Sequence, residues 1–188
     1  MLNKNFLSAE AFIRLFHEPL SLFDRTACYI FEFGTLPKSI FVNVGAFANR
    51  LSTFLGSLPV GPHYSVEIRK AEYLHPEYFA MLRARNAAHV FNAWTRMPEL
   101  CRQVAMEEAY TADFTVSRAL LRHGITYEAA VTAFEPYSRI QDPNPAAHDA
   151  LRALIQKSLG ERRPAYIFVN NRLEGNAPGT IRAVLDGL

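Results

Sequence analysis

Short apolar runs recur along this chain, each stopped by a polar group and each separated from the next by a stretch with helical spacing. The last one is the clearest. Ala165 to Val169 is continuously apolar, Asn170 and Asn171 end it, Arg172 to Asn176 form a polar loop, and Pro178 opens a helix. Buried strand, amide pair, polar loop and helix in that order predict a site at the carboxyl end of a parallel strand. Four earlier runs end in polar groups in the same way: Ala27–Phe33 at Glu32 and Gly34, Tyr64–Arg69, Ala88–Ala93 at Asn92 and Trp94, and Phe114–Arg118. Continuous apolar runs such as Ala27–Phe33 predict burial on both faces of the sheet.

Between the runs the spacing is helical. Ser8 to Phe16 predicts a helix capped by Ser8, with Phe12, Leu15 and Phe16 on its inner face, after which Pro19 and Asp24 loosen the chain. Val44 to Leu58 aligns Val44, Phe47, Leu51, Phe54 and Leu55 before Pro59, Gly61 and Pro62 stop it. Pro76–Asn86, a segment after Pro98, Tyr127–Phe134 and Pro145–Leu159 complete the helical set, with a proline-rich loop from Pro136 to Pro145. Alternation with connections long enough for crossovers predicts an α/β fold, a parallel sheet with outer helices and right-handed crossovers. About five βα units make one domain over 1–188, and they fall short of the eight strands of a closed barrel. The expectation is either an open sheet or the later part of a TIM-type barrel without its first units.

Composition narrows the function. At 188 residues with 49 % hydrophobic content, the chain can bury a core as one domain. No apolar run approaches the ~20 residues of a membrane span, and the N-terminal segment has no apolar h-region, so neither a membrane span nor a secretory signal is expected. Cys28 and Cys101 are far apart and lack CxxC spacing, which predicts reduced, buried thiols in a cytoplasmic protein. A net charge of +2 is too small to argue for nucleic acid by itself. No glycine-rich phosphate loop follows any strand, so a dinucleotide or P-loop reading fails.

The candidate chemistry sits at the strand ends. Residues two apart share a strand face, so Glu67 and Arg69 point together, as do Asn92 and Trp94. Glu32, Glu67, Arg69, Asn92, Trp94, Arg118, Asn170 and Asn171 are expected to converge on one rim. Glu67 and Arg69 in an apolar strand are costly unless paired with each other or Glu32, or bound to a ligand. Glu32 and Glu67 are the carboxylates open to acid/base work. Arg69 and Arg118 suit a carboxylate or phosphate, Asn170 and Asn171 suit hydroxyls, phosphates or bases, and Trp94 either stacks on a ring or fills the core. Glu174 and Asn176, in the last loop, either join the site or cap the final helix, whose N-terminus attracts anions. The histidines show neither HxH nor HExxH spacing. Two glutamates could hold Mg2+ or Mn2+, yet without His or Asp partners no metal site is assigned and the cofactor stays open.

Five segments together carry a resemblance: VEIR at Val66–Arg69, HVFNAWTRMP at His89–Pro98, TADFTVSRALLRHG at Thr111–Gly124, YEAAVTAFEPY at Tyr127–Tyr137 and FVNNRLEGNAP at Phe168–Pro178. In this order they resemble the YecE-like family, domain of unknown function 72, from about Phe6 to the C-terminus. The resemblance implies a TIM barrel distantly similar to sugar isomerases and endonuclease-IV-like barrels, with no established activity. It also implies three further βα units before this segment, including a Gly-Ser-Gly-Trp-like first strand, which this sequence does not hold. Ile125 stands where the family tends to carry Arg, so an anion contact there is not expected. Two function classes follow: binding or transformation of a small sugar-like or phosphorylated ligand, and nucleic-acid binding or processing. A catalytically idle remnant is the third reading. The two sheet edges of such an arc would need covering, by a second copy or another partner.

Overall fold

The computed structural model describes residues 3, 5–23, 25–34, 36, 37 and 39–188; Asp24, the expected breakpoint, lies outside the described residues. Helix α1 (Ala9–Phe12) starts where Ser8 Oγ accepts from Ala11 N at 3.2 Å. It does not stop at Phe16. It widens into a π turn (Ile13–His17) and continues as α2 (Glu18–Ser21), with Pro19 in the first turn. Pro19 has no N–H to offer, and the chain answers one turn earlier with a wide bond from Glu18 N to Ile13 O. The extra residue rotates Leu15 and Phe16 outward, so both are 56 % exposed, contrary to expectation. Phe12 keeps its inward position, its ring 5.1 Å from those of Tyr29 and Phe31.

The remaining elements alternate: β1 (Tyr29–Phe33), α3 (Val44–Gly56), β2 (Tyr64–Ile68), α4 (Pro76–Ala84), β3 (Ala88–Ala93), α5 (Leu100–Val104), β4 (Thr115–Ala119), α6 (Tyr127–Phe134), α7 (Pro145–Gly160), β5 (Ala165–Val169) and α8 (Ala177–Leu185). Asparagine or threonine side chains cap α3, α6, α7 and α8, each accepting a backbone N–H of the first turn. The strands form one open, all-parallel sheet in the order β1-β2-β3-β4-β5. Every strand pairs with its sequence neighbour, so crossovers of one hand place their helices on one face. There Val66, Ile68, Phe91 and Ala93 meet Phe47 and Leu51 of α3, Phe79 and Leu82 of α4, and Leu151 and Leu154 of α7.

The opposite face holds a smaller apolar cluster, Ala88, Val90, Phe114 and Val116, against which Cys28 and Ile30 of the β1 region and Tyr166 of β5 pack. It is also strongly curved. In a flat sheet the edge strands β1 and β5 would lie about 19 Å apart, four strand spacings; here Ile30 and Glu32 of β1 line one groove together with Phe168 and Val169 of β5. The two edge strands are less buried than their apolar sequences suggest: Phe33 is the one fully buried side chain of β1, and Phe168 of β5 is 45 % exposed. Two-sided burial therefore holds for β3 and fails at the edges, where a neighbouring strand is needed to cover the backbone and flanks.

Candidate functional site

The period-2 rule places Glu32, Glu67, Arg69, Asn92, Arg118 and Asn170 on the concave face near the carboxyl ends of their strands. Glu32 and Glu67 are direct partners in the β1–β2 register, and Asn92 and Arg118 in the β3–β4 register. The two glutamates and two arginines form a closed cluster in which every carboxylate meets both guanidiniums. Arg69 donates to Glu32 at 2.6 Å and to Glu67 at 2.8 Å. Arg118 donates to Glu32 at 3.1 Å and also to Glu67. The cluster carries two charges of each sign and is neutral.

Within it the two carboxylates differ. Glu67 is fully buried and uses one oxygen for each arginine, Oε1 for Arg69 and Oε2 for Arg118. The Glu32 side chain is 40 % exposed and offers the single oxygen Oε2 to both. Burial works against the charge on Arg118, but Glu67 and then Glu32 outweigh it and hold its pKa above the ordinary value. Trp94 supports Arg69 from below, with the guanidinium carbon 3.9 Å from the ring centroid. The Arg69 guanidinium thus covers one face of the half-buried Trp94 ring, which also lines a separate cavity with Pro98, Leu100 and His123.

Beside the cluster an open groove of about 500 Å³ is lined by Ile30, Glu32, Arg118, Leu120, Phe168, Val169 and Asn170. Asn170 keeps its place on this wall while its Oδ1 accepts from Arg172 N at 3.0 Å. Asn92 lies deeper and is fully buried. Its Nδ2 donates to the Ile68 and Val90 carbonyls at 2.9 and 3.2 Å, Gln103 brackets its backbone, and its Oδ1 has no partner among the described residues.

Three other candidates are held by the last loop and are not on the groove wall. Asn171 Oδ1 accepts from Ala177 N at 2.8 Å, and Asn176 caps α8 through Gly179 N at 2.7 Å while donating to Tyr137 O. Glu174 is fully buried and reaches α7, accepting from Asn144 N and pairing with His148 Nε2, both at 2.7 Å. It caps that helix and not the final one. Gly175 follows with φ +113°, and a Cβ there would stand 2.7 Å from Arg139 O, so the tight turn requires glycine. Ile125 packs against the Leu120, Leu121, Ala130 and Phe134 cluster. Cys101 is exposed, not buried as expected, and Cys28 is half-buried; both thiols are free.

The apolar groove residues Ile30, Leu120 and Phe168 escaped the sequence reading, although each sits two positions from a named polar residue and the same alternation would have found them. Among the described residues, no three His, Cys, Asp or Glu side chains stand together as a metal would need. No helix there is long and apolar enough to cross a membrane.

Comparison with known proteins fits this arrangement. The family described as Protein of unknown function DUF72 matches residues 3–188. The chain belongs to that family. A DUF72 family protein of Thermotoga maritima MSB8 has a similar structure, with TM-score 0.66 and 19 % identity over 95 % of this chain and 64 % of that one. A DUF72 family protein of Enterococcus faecalis V583 gives TM-score 0.60 and 15 % identity over 95 % of this chain and 66 % of that one. The chain thus spans about two thirds of the DUF72 structures it resembles. No curated protein matches it. The DUF72 assignment agrees with the YecE-like resemblance and brings no activity with it.

Proposed function

We propose that this DUF72 chain binds a small polar ligand, sugar-like or phosphorylated, at the carboxyl ends of its strands. The supporting observation is the pair of guanidiniums, Arg69 and Arg118, held by a buried Glu67 beside an open groove. Positively charged forks fixed in this way suit an oxyanion, and Asn170 on the same wall suits a hydroxyl. Glu67 orients the arginines, and Glu32, which faces the groove, is the carboxylate available for any proton transfer. Trp94 and Asn92 act beneath, as a platform for Arg69 and a lock between β2 and β3.

The sheet reads best as an arc of a TIM-type barrel. Sequential parallel strands, curvature and polar residues gathered at the carboxyl ends support this, as does the coverage of larger DUF72 structures. The unpaired edges of β1 and β5 favour association with a second copy or another chain. Two free thiols accord with a cytoplasmic location.

Calorimetric titration with D-glucose 6-phosphate, D-glucuronate and D-glucose tests the reading. Saturable binding of an acidic sugar that is lost in Arg69→Gln and Arg118→Gln supports it. Absence of binding to all three, with salt-steep affinity for DNA, would favour the nucleic-acid reading instead.

A further inference from the structure

We propose that Glu32 is an internal stand-in for the ligand's acid group: a carboxylate on the ligand takes the position of Glu32 Oε2 between Arg69 and Arg118, and Glu32 turns into the groove. This rests on the ligand-site reading above and adds both the class of the acid group and a built-in competitor.

The argument begins with how the two glutamates are held. Glu67 is fully buried and each of its oxygens is committed to a different arginine. Removing it from the cluster would strand a charge away from water. Glu32 is attached through one oxygen, with Arg69 at 2.6 Å and Arg118 at 3.1 Å, and water reaches its side chain. An exposed carboxylate of this kind gives up little when it leaves, because solvent already screens it. The point it occupies is therefore a position for one anionic oxygen, defined by two cations and open to the groove.

Those cations stay in place when Glu32 moves. Arg69 keeps Glu67 and the face of Trp94, and Arg118 keeps Glu67. The site is preorganised, so little ordering remains for the ligand to bring about. Charge selects the class. Without Glu32 the cluster holds one carboxylate and two guanidiniums, a surplus of one positive charge. A singly charged carboxylate restores neutrality, whereas a phosphate monoester near −2 overshoots it. Hydroxyls flanking the acid group would meet Asn170, and the apolar face of the ligand would lie on Leu120 and Phe168.

The test compares wild type with Glu32→Gln, which keeps the shape and one acceptor but drops the charge. D-Glucuronate should bind Glu32→Gln about tenfold more tightly than wild type, and D-glucose equally to both. D-Glucose 6-phosphate should bind more weakly than glucuronate in wild type. Equal or weaker glucuronate binding in a cooperatively melting Glu32→Gln overturns the displacement while leaving the ligand site standing. Should that variant fail to fold, the Glu32 side-chain carboxyl resonance in 13C-labelled wild type decides. Its movement to the free-glutamate position on saturation supports the proposal, and an unmoved resonance overturns it. No binding of any probe by either protein removes the ligand-site reading and the displacement together.

Discussion

Glu32 and Glu67 stand directly opposite one another on one face of β1 and β2, a like-charged pair made compatible by Arg69 and Arg118, which each bridge both carboxylates. Opposed like charges weaken a sheet unless something neutralises them. Arg118 is the arginine that ties β4 to β1 and β2, so its loss removes a tie across the curve as well as a charge.

Arg118→Gln should therefore destabilise the fold by roughly 2 kcal/mol, less than a fully broken buried pair because Arg69 still neutralises Glu67. The double variant Glu67→Gln/Arg118→Gln should recover part of that loss, since no buried carboxylate is then short of partners. Urea unfolding of the four proteins in this cycle measures it, and additive losses would show that the two residues are not coupled.

His89 gives the fold an acid sensitivity. It is fully buried on the helix side of β3, its Nδ1 3.3 Å from Tyr78 Oη and its Nε2 without a partner among the described residues. Burial pushes its pKa down from 6.5 to about 3, the nearby Gln103 side chain opposing this in part. The unfolded chain then takes up the proton first, so the contribution is complete above pH 6.5 and is lost as pH falls towards 3. The slope approaches roughly 1.4 kcal/mol per pH unit within that window. His89→Leu should flatten the stability profile between pH 6.5 and about 4.5, below which carboxylates also titrate. A profile unchanged by the substitution would show that another group causes the acid loss.

Much of the architecture was legible because local and global preferences agree. Ala88–Ala93, Tyr127–Phe134 and Ala165–Val169 have the bounds that their apolar runs and caps suggest. The period of two puts Glu67 with Arg69, and the rule that carboxyl ends of parallel strands share one rim gathers them with Glu32 and Arg118. Other features depend on partners distant in sequence. An apolar edge strand such as β5 has the same composition as a central one, and only the neighbour tells them apart. An asparagine after a strand serves a ligand or a backbone N–H equally well, and Asn171 and Asn176 serve backbone. Nothing in the sequence links Glu174 to His148, because the tie crosses two loops and follows no spacing rule. The outward turn of Leu15 and Phe16 needs the π turn that accommodates Pro19, and apolar spacing assumes a regular helix throughout.

The two thiols should separate by reactivity. Cys101 is exposed, whereas burial raises the pKa of Cys28 against a smaller opposing effect from Ser65. Since the thiolate reacts, a disulfide reagent at pH 8 should modify one thiol per chain quickly and the second slowly in native protein. Both should react at one rate in urea. Cys101→Ser should remove the fast phase, and a fast phase that survives would assign it to Cys28.

The open edges predict association. β1 and β5 each leave one row of backbone groups unpaired by the sheet, and Phe168 lies exposed beside one of them. Sedimentation of the purified chain should give a mass above that of a 21.2 kDa monomer, rising with concentration. Lysines introduced at Tyr166 and Phe168 should shift the population towards monomer. A concentration-independent monomer would mean that the edges are managed within the chain.

Glu174 offers the sharpest separation of scaffold from site. Its carboxylate is fully buried and joins the last loop to the start of α7 through Asn144 N and His148 Nε2. Glu174→Ala leaves that N–H and the imidazole without partners and should cost roughly 3 kcal/mol, the range for uncompensated buried polar groups. Glu174→Gln should cost less, because the amide oxygen can still accept from Asn144 while the amide N–H donates to the neutral imidazole in its other tautomer. Gly175→Ala should destabilise as well, since alanine there is strained and approaches Arg139 O. Glu174→Gln should nevertheless keep the wild-type affinity for D-glucuronate, because the groove is built from β1, β4 and β5 and does not include Glu174. Loss of binding without loss of melting temperature in Glu174→Gln would instead place that carboxylate in contact with the ligand.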